Sequence, residues 1–307
     1  MSSVNNRTPV VLNFDDSAGD PDDAVRVDLT SWQEIIRFGC KLKEFDELRT
    51  HLNQHLHSKL GCVLLGSGDY HHVTQLLLER LPSAEPIHLI VCDNHPDNMR
   101  YPFGIHCGSW VYWASKLPQV ARIDVLGISS SDIGWLHAVE NHWSPLYKGK
   151  LHYWSIQQNA SWVRFTGKKK AWQNFDHPDE LLTAFLTEIK ASNLPVYLSI
   201  DKDVLSSEVV MTNWDQGKFL EKHLQSLIEA CKGRLVAADI TGDVSAYHYK
   251  NYFKRFLAAS DGQQEPTAEE LSNWQLEQKA LNLRLIHAID SAWSDQYEKS
   301  HKLWVFS

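Results

Sequence analysis

Three side chains that bind hard cations, Asp93, His95 and Asp97, stand at i, i+2 and i+4 just beyond an apolar run that begins at Pro86. In extended chain that spacing puts all three on one face, and Pro96 biases His95 toward extended backbone. Alone, the pattern fits a solvated polar loop as well as a metal site. Its company is Ser199-Ile200-Asp201-Lys202-Asp203, a second strand end with two carboxylates at i, i+2. Neighbouring carboxylates desolvate and repel one another unless a cation neutralises them. Four Asp and an imidazole, mostly hard oxygens, suit two divalent ions such as Mn²⁺ better than a structural zinc. A pair of ions is used to make a water lose its proton near neutral pH and attack an electrophilic carbon or phosphorus. The expected chemistry is hydrolysis without a protein nucleophile. Lys202 alternates to the opposite strand face and reads as a structural partner.

The elements that must position these residues are legible as apolar runs at Pro9 to Phe14, Cys62 to Leu65, Ile87 to Cys92, Ile123 to Ile128, Leu151 to Ile156, Val196 to Ile200 and Leu235 to Ile240. Amphipathic segments separate most of them, including His72 to Leu81, Glu180 to Ala191 and Gly217 to Cys231. That alternation predicts an α/β fold on a mostly parallel sheet, whose ligands bind beyond the carboxyl ends of the strands. Ser31 to Glu34 and Thr267 to Glu270 read as capping boxes, the first opening a helix to about Phe38 and the second a long helix towards Ile289. Ser260 to Pro266 reads as a polar loop. The expectation is one domain over 1–307, with 251–307 as an appended C-terminal helical extension.

The net charge is −8 and the longest basic run is Lys168 to Lys170, so a nucleic-acid footprint is not expected and a small substrate is. Five cysteines without a C-x-x-C pair read as reduced core thiols. The start, MSSVNNRTPV, has no apolar signal region and no stretch has the length of a membrane span, so a cytoplasmic protein without a membrane partner is expected.

D-x-H-x-D and S-x-D-x-D at two strand ends, about a hundred residues apart, resemble the ureohydrolase superfamily of arginase, agmatinase and formimidoylglutamase, whose deeper relatives include histone deacetylases. The resemblance covers roughly Leu60 to Asp243. It implies a three-layer α/β/α fold, a pair of Mn²⁺ ions held by Asp93, His95, Asp97, Asp201 and Asp203, and Asp93 and Asp201 as bridging carboxylates. The family's remaining ligand is a His in a Gly-Gly-Asp-His turn; Gly68-Asp69-Tyr70-His71-His72 is the counterpart, pointing to His71 with His72 as substitute. Ile105-His106-Cys107-Gly108 is similar to the family's proton-shuttle segment, which makes His106 the expected general acid/base, near its ordinary pKa. Ala238 to Asp243 stands where the family places its substrate acid, so Asp239 is expected to grip a cationic group, with Asp243 and Trp214 also at the substrate. The implied reaction is hydrolysis of a C–N bond in a guanidino, amidino or formimino compound by metal-bound hydroxide. A deacetylase-like amide hydrolase and a catalytically silent metal-binding protein remain open, as does a homo-oligomer.

Overall fold

The computed structural model describes residues 7–56, 60–133, 140–158, 171–250, 252, 254–255 and 266–293. Its strands are β1 (Val10–Asn13), β2 (Val25–Asp28), β3 (Gly39–Cys40), β4 (Val63–Gly66), β5 (Ile87–Cys92), β6 (Ile105–His106), β7 (Val120–Ile128), β8 (Leu151–Ile156), β9 (Trp172–Phe175), β10 (Val196–Asp201) and β11 (Leu235–Thr241). Among the described residues nine of them form one parallel sheet in the order β2-β1-β4-β11-β10-β5-β7-β8-β9, while β3 and β6 make a small antiparallel pair.

The sheet is apolar on both faces because it is covered on both. In β5, Ile87, Leu89 and Val91 face one core and Ile90 and Cys92 the other. The first layer comes from helices Leu42–His55, Thr74–Glu79 and Trp110–Ala114, the second from Pro178–Ile189, Glu221–Ala230 and Ala268–Ala292. All seven apolar runs are strands of this sheet, and all five cysteines are buried and outside any disulfide. Edge strand β2 escaped the sequence because only Val27 is buried in it.

The capping box at Thr267 forms: its side chain accepts from the Glu270 amide and the helix continues to Ala292. The one at Ser31 does not. There a 3-10 turn, Thr30–Trp32, precedes a helix of four residues, and Glu34 is turned to Tyr247. Of the expected loop Ser260–Pro266 only Pro266 is described, and the run Lys168–Lys170 lies outside the described residues. Among the described residues no helix is long and apolar enough to cross a membrane.

Candidate metal centre

Four adjacent strands in the middle of the sheet, β4, β11, β10 and β5, bring their carboxyl ends to one place, and the candidate ligands sit there. Asp93 is the first residue beyond β5. The chain then turns rather than extending: the His95 amide folds back on Asp93 Oδ1 at 2.6 Å, and Asp97 has φ +46°. The three side chains therefore converge through a loop, not through the one-face alternation that the spacing suggested, because a carboxylate accepting its neighbours' amides competes with strand geometry. Asp201 closes β10, and Asp203 sits in the 3-10 turn Lys202–Val204, its amide bonded to Asp201 Oδ1 at 3.1 Å.

His71 comes from the 3-10 turn Gly68–Val73 after β4. Its Nδ1 lies 3.2 Å from Asp93 Oδ2, 3.1 Å from Asp97 Oδ2 and 3.4 Å from Asp201 Oδ2. His72 packs away from this point, its ring 5.8 Å from that of Phe45. Of the two alternatives, His71 is the one in the cluster. His95 Nδ1 is 2.9 Å from Asp203 Oδ2 and 3.5 Å from Asp93 Oδ1. Two groups result, His71–Asp93–Asp97 and Asp93–His95–Asp203, with Asp93 common to both.

The electrostatics describe a site built for added positive charge. Burial, then the charge of Asp93, pushes Asp97 and Asp203 up to about 7. Burial and Asp203 also push Asp201 well up. Burial opposes the charged form of Asp93 too, but His71 and His95 outweigh it and hold this carboxylate below its usual range. Both imidazoles are raised despite their burial, His71 by Asp93 and Asp97 and His95 chiefly by Asp203. The cluster thus favours added positive charge where the imidazoles meet its carboxylates. The donor set fits divalent ions: His71 Nδ1 and Asp93 Oδ2 are buried, face each other at 3.2 Å and have no hydrogen-bond partner outside the cluster.

The residues behind the candidate ligands hold them by hydrogen bonds. Ser199 Oγ lies 3.0 Å from His71 Nε2 and donates to Asp239 Oδ1 at 2.7 Å, while Tyr197 donates to Asp239 Oδ2 at 2.5 Å. With its one proton given to Asp239, Ser199 accepts from His71 Nε2–H and leaves Nδ1 a free lone pair. Asp215 Oδ1 is 2.7 Å from His95 Nε2 and does the same on the other side. Trp110 Nε1 donates to Asp97 at 2.7 Å. Arg37, itself buried, reaches Asp69 at 2.7 Å and Asp15 at 3.2 Å and anchors the turn that carries His71. Of Ser199, Tyr197, Asp215, Trp110 and Arg37, only Ser199 carries a signal in the sequence, as the first letter of S-x-D-x-D.

Two expectations are corrected. Asp239 lies within β11, as the run Leu235 to Ile240 placed it, but it is fully buried, with both oxygens engaged as described and no face on the cavity. Its contact with the cluster runs through Ser199 to His71. Asp243 is likewise sealed, bonded to Lys202 Nζ at 2.5 Å and Asn282 Nδ2 at 3.0 Å. Lys202 is the structural partner expected of it.

A cavity of about 540 Å³ opens over the ligands, lined among others by Trp214, His106, Cys107, Ser130, Asp132 and Asp215. Trp214 stacks on Phe38 at 6.1 Å and sets its ring 5.8 Å from that of His95. Phe38 is held at φ +70°, an unusual backbone for a bulky residue, and its ring meets His106 edge-on at 4.3 Å. His106 is nearly buried, and its Nδ1 accepts from the Gly108 amide at 2.9 Å. Burial, then Lys254, pushes it down to about 3, so it is neutral at pH 7 with its proton on Nε2. An imidazole near its ordinary pKa, as the sequence suggested, is not what the structure holds.

No family model matches the chain. A Thermotoga maritima protein known only as uncharacterized is 28% identical over 211 residues, 68% of each chain. Among solved structures, proclavaminate amidino hydrolase from Streptomyces clavuligerus superimposes with a TM-score of 0.52 at 14% identity, covering 92% of each chain. Agmatine ureohydrolase of Thermoplasma volcanium gives 0.52 at 13% identity, over 96% of this chain and 92% of its own. Formimidoylglutamase from Bacillus subtilis gives 0.50 at 10%, over 94% and 88%. The chain has an arginase-like three-layer α/β/α fold.

Proposed function

We propose that the chain is a metal-dependent hydrolase that cleaves a C–N bond of a small guanidino, amidino or formimino compound, using two divalent ions. The observation that carries this is the pair of candidate ligand groups sharing Asp93, with His71 Nδ1 and Asp93 Oδ2 turned inward and without a hydrogen-bond partner outside the cluster. Structures of this fold whose names describe amidino, ureo and formimidoyl hydrolysis support the reaction class. His71, Asp93, Asp97 and Asp201 would hold one ion, and Asp93, His95 and Asp203 the other. Hard oxygens with one imidazole per ion favour Mn²⁺.

Bound there, the ions supply Lewis acidity and a water activated near neutral pH. The protein's own part is orientation and proton placement. Ser199 and Asp215 fix the tautomers of His71 and His95. Neutral His106 offers Nε2–H to a substrate or leaving nitrogen. Trp214 forms a flat wall on which a planar carbon centre can lie. Asp132 and Asp215 line the cavity outside the ligand set and would meet a cationic substrate.

A second reading, amide hydrolysis, is favoured by one observation: Asp239 and Asp243 are both sealed off, so neither grips a planar cation beside the ions. Metal analysis of protein grown with Mn²⁺, paired with assays for urea or ammonia release from guanidino and amidino compounds and acid release from N-acyl amines, separates the two. About two equivalents of metal with urea or ammonia released is the expected result. Acid release alone selects the second reading. Less than about one equivalent, unchanged by Asp93→Ala, removes the two-ion centre.

A further inference from the structure

We infer that the helix Ala268–Ala292 is part of the frame of the metal centre, and that Asn282, Lys202, Asp243 and Gln278 are positioning residues for the Asp201–Asp203 pair. The inference rests on the two-ion reading above. A helix merely appended to a sheet would bury an apolar stripe, as Leu281, Leu285 and Ile289 do here. This helix also buries polar residues. Gln275, Gln278 and Asn282 follow at i, i+3 and i+7, on one face, and Gln278 and Asn282 are essentially inaccessible at 0% and 1% exposure.

Each grips a segment that touches the ligands. Asn282 Oδ1 accepts from Lys202 Nζ at 2.8 Å, and its amide donates to Asp243 Oδ1 at 3.0 Å and to the Ala18 carbonyl at 3.1 Å. Gln278 donates to the Gly242 and Met211 carbonyls at 3.2 and 2.6 Å, and Gln275 to Val244 at 3.2 Å. Lys202 stands between the two ligand carboxylates in sequence and is fully buried, so its ammonium tolerates only a geometry in which Asp243 and Asn282 both answer it. Gly242 presses on the same turn: a Cβ there would fall 2.4 Å from Asp201 Oδ1 and 2.7 Å from the Lys202 amide. The helix therefore reaches Asp201 and Asp203 from behind along two routes, Asn282–Lys202 and Gln278–Gly242.

Groups behind metal ligands tune affinity by about 10–100-fold, which sets the expected size. In the full-length protein, Asn282→Leu and Gln278→Met are compared with Arg284→Leu, which breaks only an outward ion pair with Glu221. The readouts are the Mn²⁺ dissociation constant by titration calorimetry, the visible spectrum of the Co²⁺-substituted protein, and the thermal midpoint of the metal-free form. Asn282→Leu and Gln278→Met should weaken Mn²⁺ binding by about 10–100-fold and shift the Co²⁺ bands, with Arg284→Leu unchanged in both. Gln278→Met orphans no buried charge and decides the question if Asn282→Leu does not fold. Folded variants with lowered midpoints but the parent's Mn²⁺ affinity and Co²⁺ spectrum overturn the inference and reduce the stripe to packing. Failure of the parent protein itself to bind either ion overturns the two-ion reading beneath it.

Discussion

His71 and Asp239 are joined through a single hydroxyl: Ser199 Oγ lies 3.0 Å from the imidazole Nε2 and 2.7 Å from the carboxylate Oδ1. The consequence is testable with Asp239→Asn. An amide there unsettles the direction of the Ser199 proton and with it the tautomer of His71, so metal affinity should fall about 10-fold or more while KM at saturating metal stays at the parent value. A raised KM with metal affinity intact would return Asp239 to the substrate.

Gly242 has φ +88° and packs on Asp201. Gly242→Ala both strains that backbone and drives a methyl into a ligand oxygen, so it should cost about 1–3 kcal/mol in denaturant titrations and weaken metal binding. Gly149→Ala, also at positive φ but with no neighbour within 4 Å of its added Cβ, should cost stability alone.

His106 is neutral through the physiological range because burial holds it down to about 3. His106→Gln, which keeps a donor but not its geometry, should lower kcat by about 10²–10³-fold at unchanged metal content. The acid limb of kcat/KM should fall at the same pH in the parent and the variant. A limb near pH 6.5 that vanishes in His106→Gln would show a titrating imidazole instead.

Asp124 is buried where His88, Arg122 and Trp154 converge on it at 2.5 to 2.9 Å. Burial raises its pKa, but His88 and Arg122 outweigh that and hold it below the carboxylate range. A lowered native pKa means stability that is complete above the unfolded value of about 4 and lost as pH falls through the native one. Asp124→Asn should destabilise by about 3–5 kcal/mol at pH 7, and the gap to the parent in urea melts should close as pH drops below about 4.

The seven interior strands were legible because each is a continuous apolar run, and the two ligand motifs because they end two of those runs. What escaped was set by tertiary packing. Helix Leu42–His55 shows only Phe45, Leu48 and Leu52 to the core, a pattern too thin to stand out among its charges. The resemblance alone puts Asp239 at the substrate; the strand continues to Thr241, which leaves Asp239 inside the sheet, and no sequence pattern shows which way its side chain is taken up. Asp215 looked like any loop acid until the turn after β10 brought it onto His95. Ser31 and Glu34 have the letters of a capping box, but Tyr247, more than two hundred residues away, takes the glutamate.

The two strands that deliver most of the candidate ligands, β5 and β10, are neighbours in the sheet, with Cys92 opposite Ile200, although His95 and Asp203 are 108 residues apart in the chain. Closing a loop of that length comes before any ligand from one motif can meet one from the other. An unfolded or half-folded chain therefore offers an ion only fragments of the coordination shell. Metal added during refolding should leave the folding rate nearly unchanged and act on the rate of unfolding, so that at free concentrations about a hundred times the dissociation constant an ion adds about 2.7 kcal/mol of stability, largely as a longer lifetime of the folded protein.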